Sequence, residues 1–352
     1  MRYGKFLPEK GTIGFVAPSF GCNIEPYRSA FINAQKIWEQ QGYGFSFGPN
    51  AYEGCGIGIS NTPQKCAEEF NDWYAKEDVD VLISCGGGEL MCEILPYIDF
   101  EKIRNSEPKW FLGYSDNTNL IFLLATLCDT AAIYGPCAAA FGMEPWHDSL
   151  KDAMGILKGN IKSVHNYEKE GLKTEDNPLE PYNVTEKFQL RTWTAEKGLS
   201  IPDDISKKTD EIIQMEGRLL GGCLDCLSIL CGTKFDQVEQ FNEKYKEDGI
   251  LWFLESCDLN PMGIRRALWQ LDEAGWLKYT KGFLIGRPYC YGDDFFGMDQ
   301  YMAVLGILSK YNVPVIMDVD IGHLPPMMPL VCGSKAKVKV EGNSIKIDMA
   351  YI

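Results

Sequence analysis

Short apolar runs alternate with helix-patterned stretches through the first 128 residues, and this alternation restricts the fold more than any other feature of the chain. TIGFVAPS (12–19) is an apolar run closing in Pro18-Ser19. SAFINAQKIWEQQG (29–42) has helical spacing and ends on Gly42, which suits a helix C-cap. DVDVLISCGGG (78–88) is a strand that runs into three glycines. KWFLGYSDNTNLIFLLATLC (109–128) reads as a strand, a sharp turn and an apolar helix. Strands and helices in this order predict an α/β fold, a parallel sheet covered by helices on both faces. Ligands of such sheets bind beyond the carboxyl ends of the strands. Two of those ends stand out, Gly86-Gly87-Gly88 and Ser115.

The pattern changes after residue 165. NYEKEGLKTEDNPLEPYN (166–183) is polar, has two prolines and no period, and reads as a linker. It separates an N-terminal domain (1–165) from a C-terminal one (184–352). KGLSIPDDISKKTDE (197–211) reads as a second long surface excursion. Beyond GRLLGG come a buried strand, GILWFLES (249–256), a helix, GIRRALWQLDEAGWL (263–277), and a further strand, GFLIG (282–286). AKVKVEGNSIKIDM (336–349) alternates Val or Ile with Lys around Gly342-Asn343, the signature of a hairpin with one buried face.

Composition narrows the partners. With 352 residues, 45% of them hydrophobic, the chain can bury a large core. A net charge of −15 repels phosphate backbones, which argues against a nucleic-acid partner. The N-terminal stretch lacks the apolar core and small-residue cleavage site of a signal peptide, and no apolar run reaches the ~18 residues of a membrane span. A soluble, cytoplasmic protein is therefore expected. Thirteen scattered cysteines, an odd number, read as reduced and mostly buried thiols in a reducing compartment.

A serine at a strand-to-helix turn projects its hydroxyl from the sheet edge, with the positive end of a helix behind it. Ser115 in Gly113-Tyr114-Ser115-Asp116-Asn117 has this setting and could act as a nucleophile, with the Asp116 amide as an oxyanion donor. Equally, Ser115, Asp116 or Asn117 could simply cap the helix. A serine nucleophile needs a base. Of three histidines, His147 and His165 stand near helix-like and linker sequence. His323 stands in GHLPP at the end of an apolar run, where the turn holds it at a sheet rim, so it ranks first. Glu255 ends the apolar run of GILWFLES and needs a partner if buried, either a histidine or Arg265 or Arg266. Gly87-Gly88 could supply a second oxyanion donor or be an ordinary tight turn. Cys223-x-x-Cys226 lacks a second ligand pair for a metal; a redox pair at a helix start stays open, and small buried residues at the start of an apolar helix (Leu224, Leu227, Leu230) are the plainer account.

Taken together these segments resemble the LD-carboxypeptidase and microcin C immunity serine peptidase family. GYSDNTNL is similar to its nucleophile segment, and GRLLGGCLDCLSILCGT to its Gly-Gly-Asn-Leu helix start. ILWFLES is similar to the strand of its triad glutamate, and GHLPPMMPLVCG to its histidine segment. CGGGELMCEILPYIDF and YGPCAAAFG are similar to its oxyanion loop and a neighbouring sheet-end loop. The resemblance implies Ser115 as nucleophile, His323 as base and Glu255 as orienting acid. It implies oxyanion donors at the backbone of Asp116 and of Gly87-Gly88. It also implies a Rossmann-like N-terminal domain, a smaller β-rich C-terminal domain, an active site between them, no metal or cofactor, and a homodimer. Cys223 stands where the family has asparagine, near the substrate. Ser256-Cys257-Asp258-Leu259-Asn260 lacks a lysine that the microcin immunity branch often carries. Trp193 is a candidate aromatic wall of the pocket.

The substrate implied is a small peptide or peptidyl-nucleotide. It is cut either at the amide joining an aminoacyl residue to a nucleotide-like group or at the bond before the terminal D-alanine of a cell-wall tetrapeptide. A non-catalytic peptide binder and an ordinary α/β-hydrolase esterase are the competing classes. The esterase is disfavoured because Asn117 replaces the second glycine of the G-x-S-x-G turn.

Overall fold

A computed structural model describes residues 1–56, 58–172, 177–201 and 212–351. Most of the 197–211 excursion, residues 202–211, lies outside the described residues, as do 173–176 of the 166–183 stretch. The strands in chain order are β1 (Thr12–Val16), β2 (Gly44–Phe47), β3 (Val81–Ser84), β4 (Trp110–Gly113), β5 (Ala132–Tyr134), β6 (Ser163–His165), β7 (Lys169–Glu170), β8 (Glu186–Lys187) and β9 (Arg191–Thr194). They continue with β10 (Gly198–Ser200), β11 (Ile212–Cys223), β12 (Ile250–Glu255), β13 (Thr280–Gly286), β14 (Val315–Val319), β15 (Leu330–Cys332), β16 (Lys335–Glu341) and β17 (Ser344–Ala350).

The first sheet has the order β15-β5-β4-β3-β1-β2, and β1 to β5 pair in parallel. Its central strands β3 and β4 are buried along their whole length, as apolar runs without alternation require when helices cover both faces. Helix Tyr27–Gln40 turns Ala30, Phe31, Ala34 and Trp38 inward, one apolar stripe at helical spacing, and stops just before Gly42. Phe15 of β1 meets Phe31 and Trp38 of that helix at ring-centroid distances of 5.0 and 5.4 Å.

The second sheet is mixed, in the order β10-β9-β14-β13-β12-β11-β16-β17-β6. Strands β11 to β14 are parallel, and β9 and β16 flank them antiparallel. The β16–β17 hairpin alternates as its sequence requires: Ala336, Val338 and Val340 are buried while Lys337 and Lys339 face water. β6 precedes residue 166 but pairs with β17, and β15 returns to the first sheet beside β5. The 166–183 stretch contains β7, which pairs with β8.

The two halves meet along the helix that follows β4. Helix Thr118–Thr126 is buried from Thr118 to Ala125, so it has no wet face. Phe122 stacks on Trp276 and Trp252, at 5.1 and 6.4 Å, both of which belong to the C-terminal half. Burying each such side chain contributes about 1.5–3 kcal/mol. This packing brings the carboxyl end of β4 to the carboxyl ends of β11 and β12. Among the described residues, no helix is long and apolar enough to cross a membrane.

Candidate active site

Ser115 sits just past β4 with φ of +61°, a left-handed conformation that costs a non-glycine residue roughly 1–2 kcal/mol. The surrounding contacts hold it there. The Asn117 side-chain amide donates to the carbonyls of Gly86 (2.9 Å) and Tyr114 (3.0 Å), which ties the triple-glycine turn to the serine turn. The Asp116 carboxylate accepts from Ser19 Oγ (2.5 Å), the Met91 amide (2.8 Å) and Asn119 Nδ2 (2.9 Å). Neither Asn117 nor Tyr114, the residues at the two helix starts, makes a side-chain cap, so the capping account of this stretch does not describe it. Gly87 comes so close that a Cβ added to it would lie 3.1 Å from both Cβ and Oγ of Ser115.

The serine hydroxyl is the first link of a hydrogen-bonded line. Ser115 Oγ lies 2.9 Å from Nε2 of His323, and Nδ1 of His323 lies 2.8 Å from Oε2 of Glu255. The three residues come from β4's end, β12's end and the loop after β14, and Ser115 and His323 are 208 positions apart in sequence. The other Glu255 oxygen accepts from the Tyr134 hydroxyl, and that same hydroxyl accepts from the Ser115 amide at 3.3 Å. Glu255 is therefore paired with His323 and Tyr134, and not with Arg265 or Arg266; Arg265 reaches the Met302 carbonyl. Gly322, at φ +107°, fits against Glu255: a Cβ there would sit 2.6 Å from Oε2.

The electrostatics follow from this burial. The Glu255 side chain is fully buried and that of His323 is 11% exposed. Burial alone would raise the Glu255 carboxyl, but the imidazole and the hydrogen bonds from His323 and Tyr134 bring it below its ordinary range. Burial alone would lower the His323 pKa, but the Glu255 charge, with the Cys257 thiol against the ring, lifts it well above the usual imidazole value. The two titrate as a pair. Burial, followed by the charge of Glu255, holds Tyr134 far above its normal pKa, so it is a neutral donor.

A buried cation fixes the histidine loop. Arg287, 1% exposed, bonds Asp320 (2.8 Å), Glu170 (3.0 Å) and the carbonyls of Asp318 (3.3 Å) and Pro325 (3.2 Å). It thereby spans the segment on both sides of His323 and ties it to β7.

A cleft of roughly 350 Å³ opens beside Ser115. Gly88, Ser115, Asp116, Cys223 and Cys257 line it, with Glu89, Asp225 and Asp258. Cys223 is thus where its sequence position suggested, in the wall next to the serine. The Cys223 and Cys226 thiols touch, and both are free, as are all thirteen cysteines. Trp193 is not in this wall. It stands on β9 opposite Val315, the first residue of β14, whereas His323 follows that strand's last residue, Val319. The length of a strand separates them, and Trp193 packs half-buried on the core. His147 accepts from the Ser149 amide (3.1 Å) at the start of helix Asp148–Leu157, and His165 lies on β6; neither lines the cleft. Among the described residues no group of three His, Cys, Asp or Glu side chains is placed to hold a metal.

Sequence reasoning missed Tyr134 and Arg287. Tyr134 lay within a segment similar to a family loop, at the end of an apolar run, and a polar tip at a sheet end was the available signal. Arg287 follows β13 directly; a cation closing an apolar strand poses the same burial problem as Glu255 and could have been read the same way.

The model of the LD-carboxypeptidase N-terminal domain matches residues 13–135, and that of the LD-carboxypeptidase C-terminal domain matches residues 216–338. The microcin C7 self-immunity protein MccF of Escherichia coli is 22% identical, over 97% of this chain and 94% of its own length. The structure of MccF in complex with glutamyl sulfamoyl guanosine superposes with a TM-score of 0.79 at 20% identity, covering 99% of each chain; another MccF structure holds aspartyl sulfamoyl adenosine. The muramoyltetrapeptide carboxypeptidase of Oxalobacter formigenes superposes with a TM-score of 0.69 at 19% identity, covering 96% of this chain and 98% of its own. At these identities the structural likeness establishes the fold, and the two family models, which match both halves of the chain, establish the family. The chain belongs to the LD-carboxypeptidase family and is an enzyme of the serine peptidase type.

Proposed function

We propose that the chain hydrolyses an amide near the carboxyl end of a small peptide or aminoacyl conjugate, with Ser115 as nucleophile, His323 as general base and acid, and Glu255 as the orienting acid. The observation that carries this reading is the unbroken line from Ser115 Oγ through both nitrogens of His323 to a fully buried Glu255. A protein that only bound peptides would have no use for that line, which holds a carboxylate out of water at considerable cost.

In this mechanism Ser115 attacks the amide carbonyl while its proton passes to Nε2 of His323. The imidazolium that forms is the species Glu255 favours, which is the same interaction that raises the resting pKa of His323. The carbonyl oxygen, now an oxyanion, takes hydrogen bonds from the Asp116 amide and from the Gly87-Gly88 turn. One such donor is worth about 10²–10³ in kcat in serine peptidases. His323 then protonates the leaving amine, and water, deprotonated by the same imidazole, releases the acyl group.

For the substrate we favour the amide between an aminoacyl residue and a nucleotide-like group. MccF, whose fold this chain shares end to end, has been solved with aminoacyl sulfamoyl nucleosides bound. A cell-wall tetrapeptide losing D-alanine is the second reading, supported by the likeness to a muramoyltetrapeptide carboxypeptidase. Incubating the purified protein with both substrates, with a Ser115→Ala control, separates them by mass spectrometry. Release of the sulfamoyl nucleoside supports the first and loss of D-alanine the second. Equal cleavage by Ser115→Ala would refute the mechanism.

A further inference from the structure

The two sides of the oxyanion site stand on separate loops. The Asp116 amide follows β4, and the Gly87-Gly88 turn follows β3. A donor serves an oxyanion only within about 2.7–3.1 Å of its position, so the spacing of these two loops has to be fixed. The Asn117 side chain ties the start of the glycine turn, through the Gly86 carbonyl. The far end of the turn is tied by the Asp116 carboxylate, whose Oδ2 accepts from the Met91 amide at 2.8 Å.

That same oxygen accepts from Ser19 Oγ at 2.5 Å. Ser19 belongs to the loop after β1, is fully buried and does not line the cleft. It lies directly beneath the turn. A Cβ on Gly88, whose φ is +149°, would fall 2.1 Å from Ser19 Oγ and 2.7 Å from the Gly58 carbonyl oxygen. The next residue, Phe20, forms an antiparallel bridge with Gly86, and the Ser60 amide donates to the Ser19 carbonyl (2.5 Å). The loop after β1 is therefore the floor of the glycine turn, and the Ser19 hydroxyl is where that floor meets Asp116. The other oxygen, Oδ1, takes Asn119 Nδ2 at 2.9 Å, and the Cys226 thiol of the C-terminal half stands 3.9 Å from it. Three N–H or O–H donors thus converge on one side chain, and only a group that accepts through both oxygens meets them all.

We propose that Ser19 and the Asp116 carboxylate are positioning residues for the hydrolysis, a clasp that sets the Gly87-Gly88 donors at a fixed distance from the Asp116 amide. The inference rests on the Ser115 mechanism proposed above. Asp116 then serves both sides of the oxyanion site: its amide donates, and its carboxylate holds the facing loop. Ser19 bonds neither His323 nor Glu255, so its loss weakens stabilisation of the oxyanion and leaves the base unchanged.

Ser19→Ala removes one buried hydroxyl and adds no atom. Its kcat on the amide substrate should fall roughly tenfold, part of the 10²–10³ that one oxyanion donor is worth. Labelling of Ser115 by a fluorophosphonate, whose phosphoryl oxygen takes the oxyanion's place, should slow in step. KM and the midpoint of the acid limb of the pH profile should stay where they are. Asp116→Asn should lose at least as much. The Ser19→Ala/Asp116→Asn double variant should lose no more than Asp116→Asn alone, because both act through one contact. If Asp116→Asn does not fold, Ser19→Ala decides by itself. A Ser19→Ala protein with a lowered melting temperature but wild-type kcat and labelling would make the contact merely structural and overturn the proposal. A loss confined to KM, or additive losses in the double variant, would overturn it too. The labelling rate separates this inference from the reading beneath it. Wild type and Ser19→Ala labelled equally fast at Ser115 sinks the clasp and leaves the mechanism standing. Slowed labelling without cleavage of either substrate keeps the clasp and sinks the substrate assignment, and a wild type unlabelled at Ser115 overturns both.

Discussion

Replacing Tyr134 with phenylalanine removes one oxygen and two hydrogen bonds. The Tyr134 hydroxyl donates to Glu255 Oε1 and accepts from the Ser115 amide. Phenylalanine fills the same volume, so packing against Phe253 is kept. What is lost is a charge-assisted bond to a carboxylate with no access to water, worth about 1.5–3 kcal/mol. Thermal or denaturant unfolding should report a stability loss of that size. The catalytic effect has a sign as well as a size. A Glu255 carboxylate deprived of one donor is stabilised more strongly by the imidazolium beside it, so the His323 pKa rises further. Because His323 must be neutral to take the Ser115 proton, the acid limb of kcat/KM against pH should move to higher pH. Up to about a hundredfold in kcat/KM follows if the whole bond is lost in the transition state. The assay is kcat/KM from pH 5 to 9 on wild type and Tyr134→Phe, with melting curves on the same samples. An unmoved acid limb would refute the coupling between Tyr134 and the Glu255–His323 pair, whatever the melting curves show.

Glu255→Gln removes the charge that lifts His323 while leaving the burial that lowers it, so the acid limb should shift to lower pH; the rate itself should drop by about 10³–10⁴, as in other triads that lose their acid. Gly87→Ala brings a methyl group to 3.1 Å from Ser115 Oγ, in a backbone conformation that alanine tolerates; we expect a loss of roughly tenfold or more in kcat with little change in melting temperature. Arg287→Ala leaves Asp320 and Glu170 buried without their cation and should cost about 3–5 kcal/mol in urea unfolding, together with activity, because the same side chain holds both flanks of His323. A fully active, fully stable Arg287→Ala protein would contradict that role.

Local chemistry made much of the fold legible. The apolar runs at 12–16, 81–84, 110–113 and 250–255 were readable as strands because each is a short, unbroken apolar stretch that gives way within a residue or two to polar residues, proline or glycine. The Lys alternation at 336–340 marked a hairpin for a different reason, a period of two that buries one face and wets the other on either side of Gly342-Asn343. The placement of Glu255 was also readable, since an acid ending a five-residue apolar run must find a partner. Its identity was less so. Arg265 is ten residues away and His323 sixty-eight, and only the parallel order β12-β13-β14, which sets the carboxyl ends of β12 and β14 at one edge of the second sheet, brings the distant one near. Strand exchange was invisible. Nothing in LVC (330–332) distinguishes a strand of the second sheet from one that pairs back with β5. Trp193 shows the converse error. An aromatic residue offered as a pocket wall lies away from the pocket when the strand register sets it opposite Val315, at the far end of β14 from His323. Tyr134 escaped notice because its function lies in one oxygen atom, and the periodicity that marks a core tyrosine is the same with or without a partner for that oxygen.

Covalent capture of the nucleophile tests the central claim most directly. Wild type, Ser115→Ala and His323→Ala would be treated with a fluorophosphonate and the modified residue mapped by peptide mass spectrometry, alongside turnover of an aminoacyl sulfamoyl adenosine. The account predicts a single adduct on Ser115, none in Ser115→Ala, strongly slowed labelling in His323→Ala, and amide cleavage by the wild type alone. An adduct elsewhere, or cleavage that survives Ser115→Ala, would contradict it.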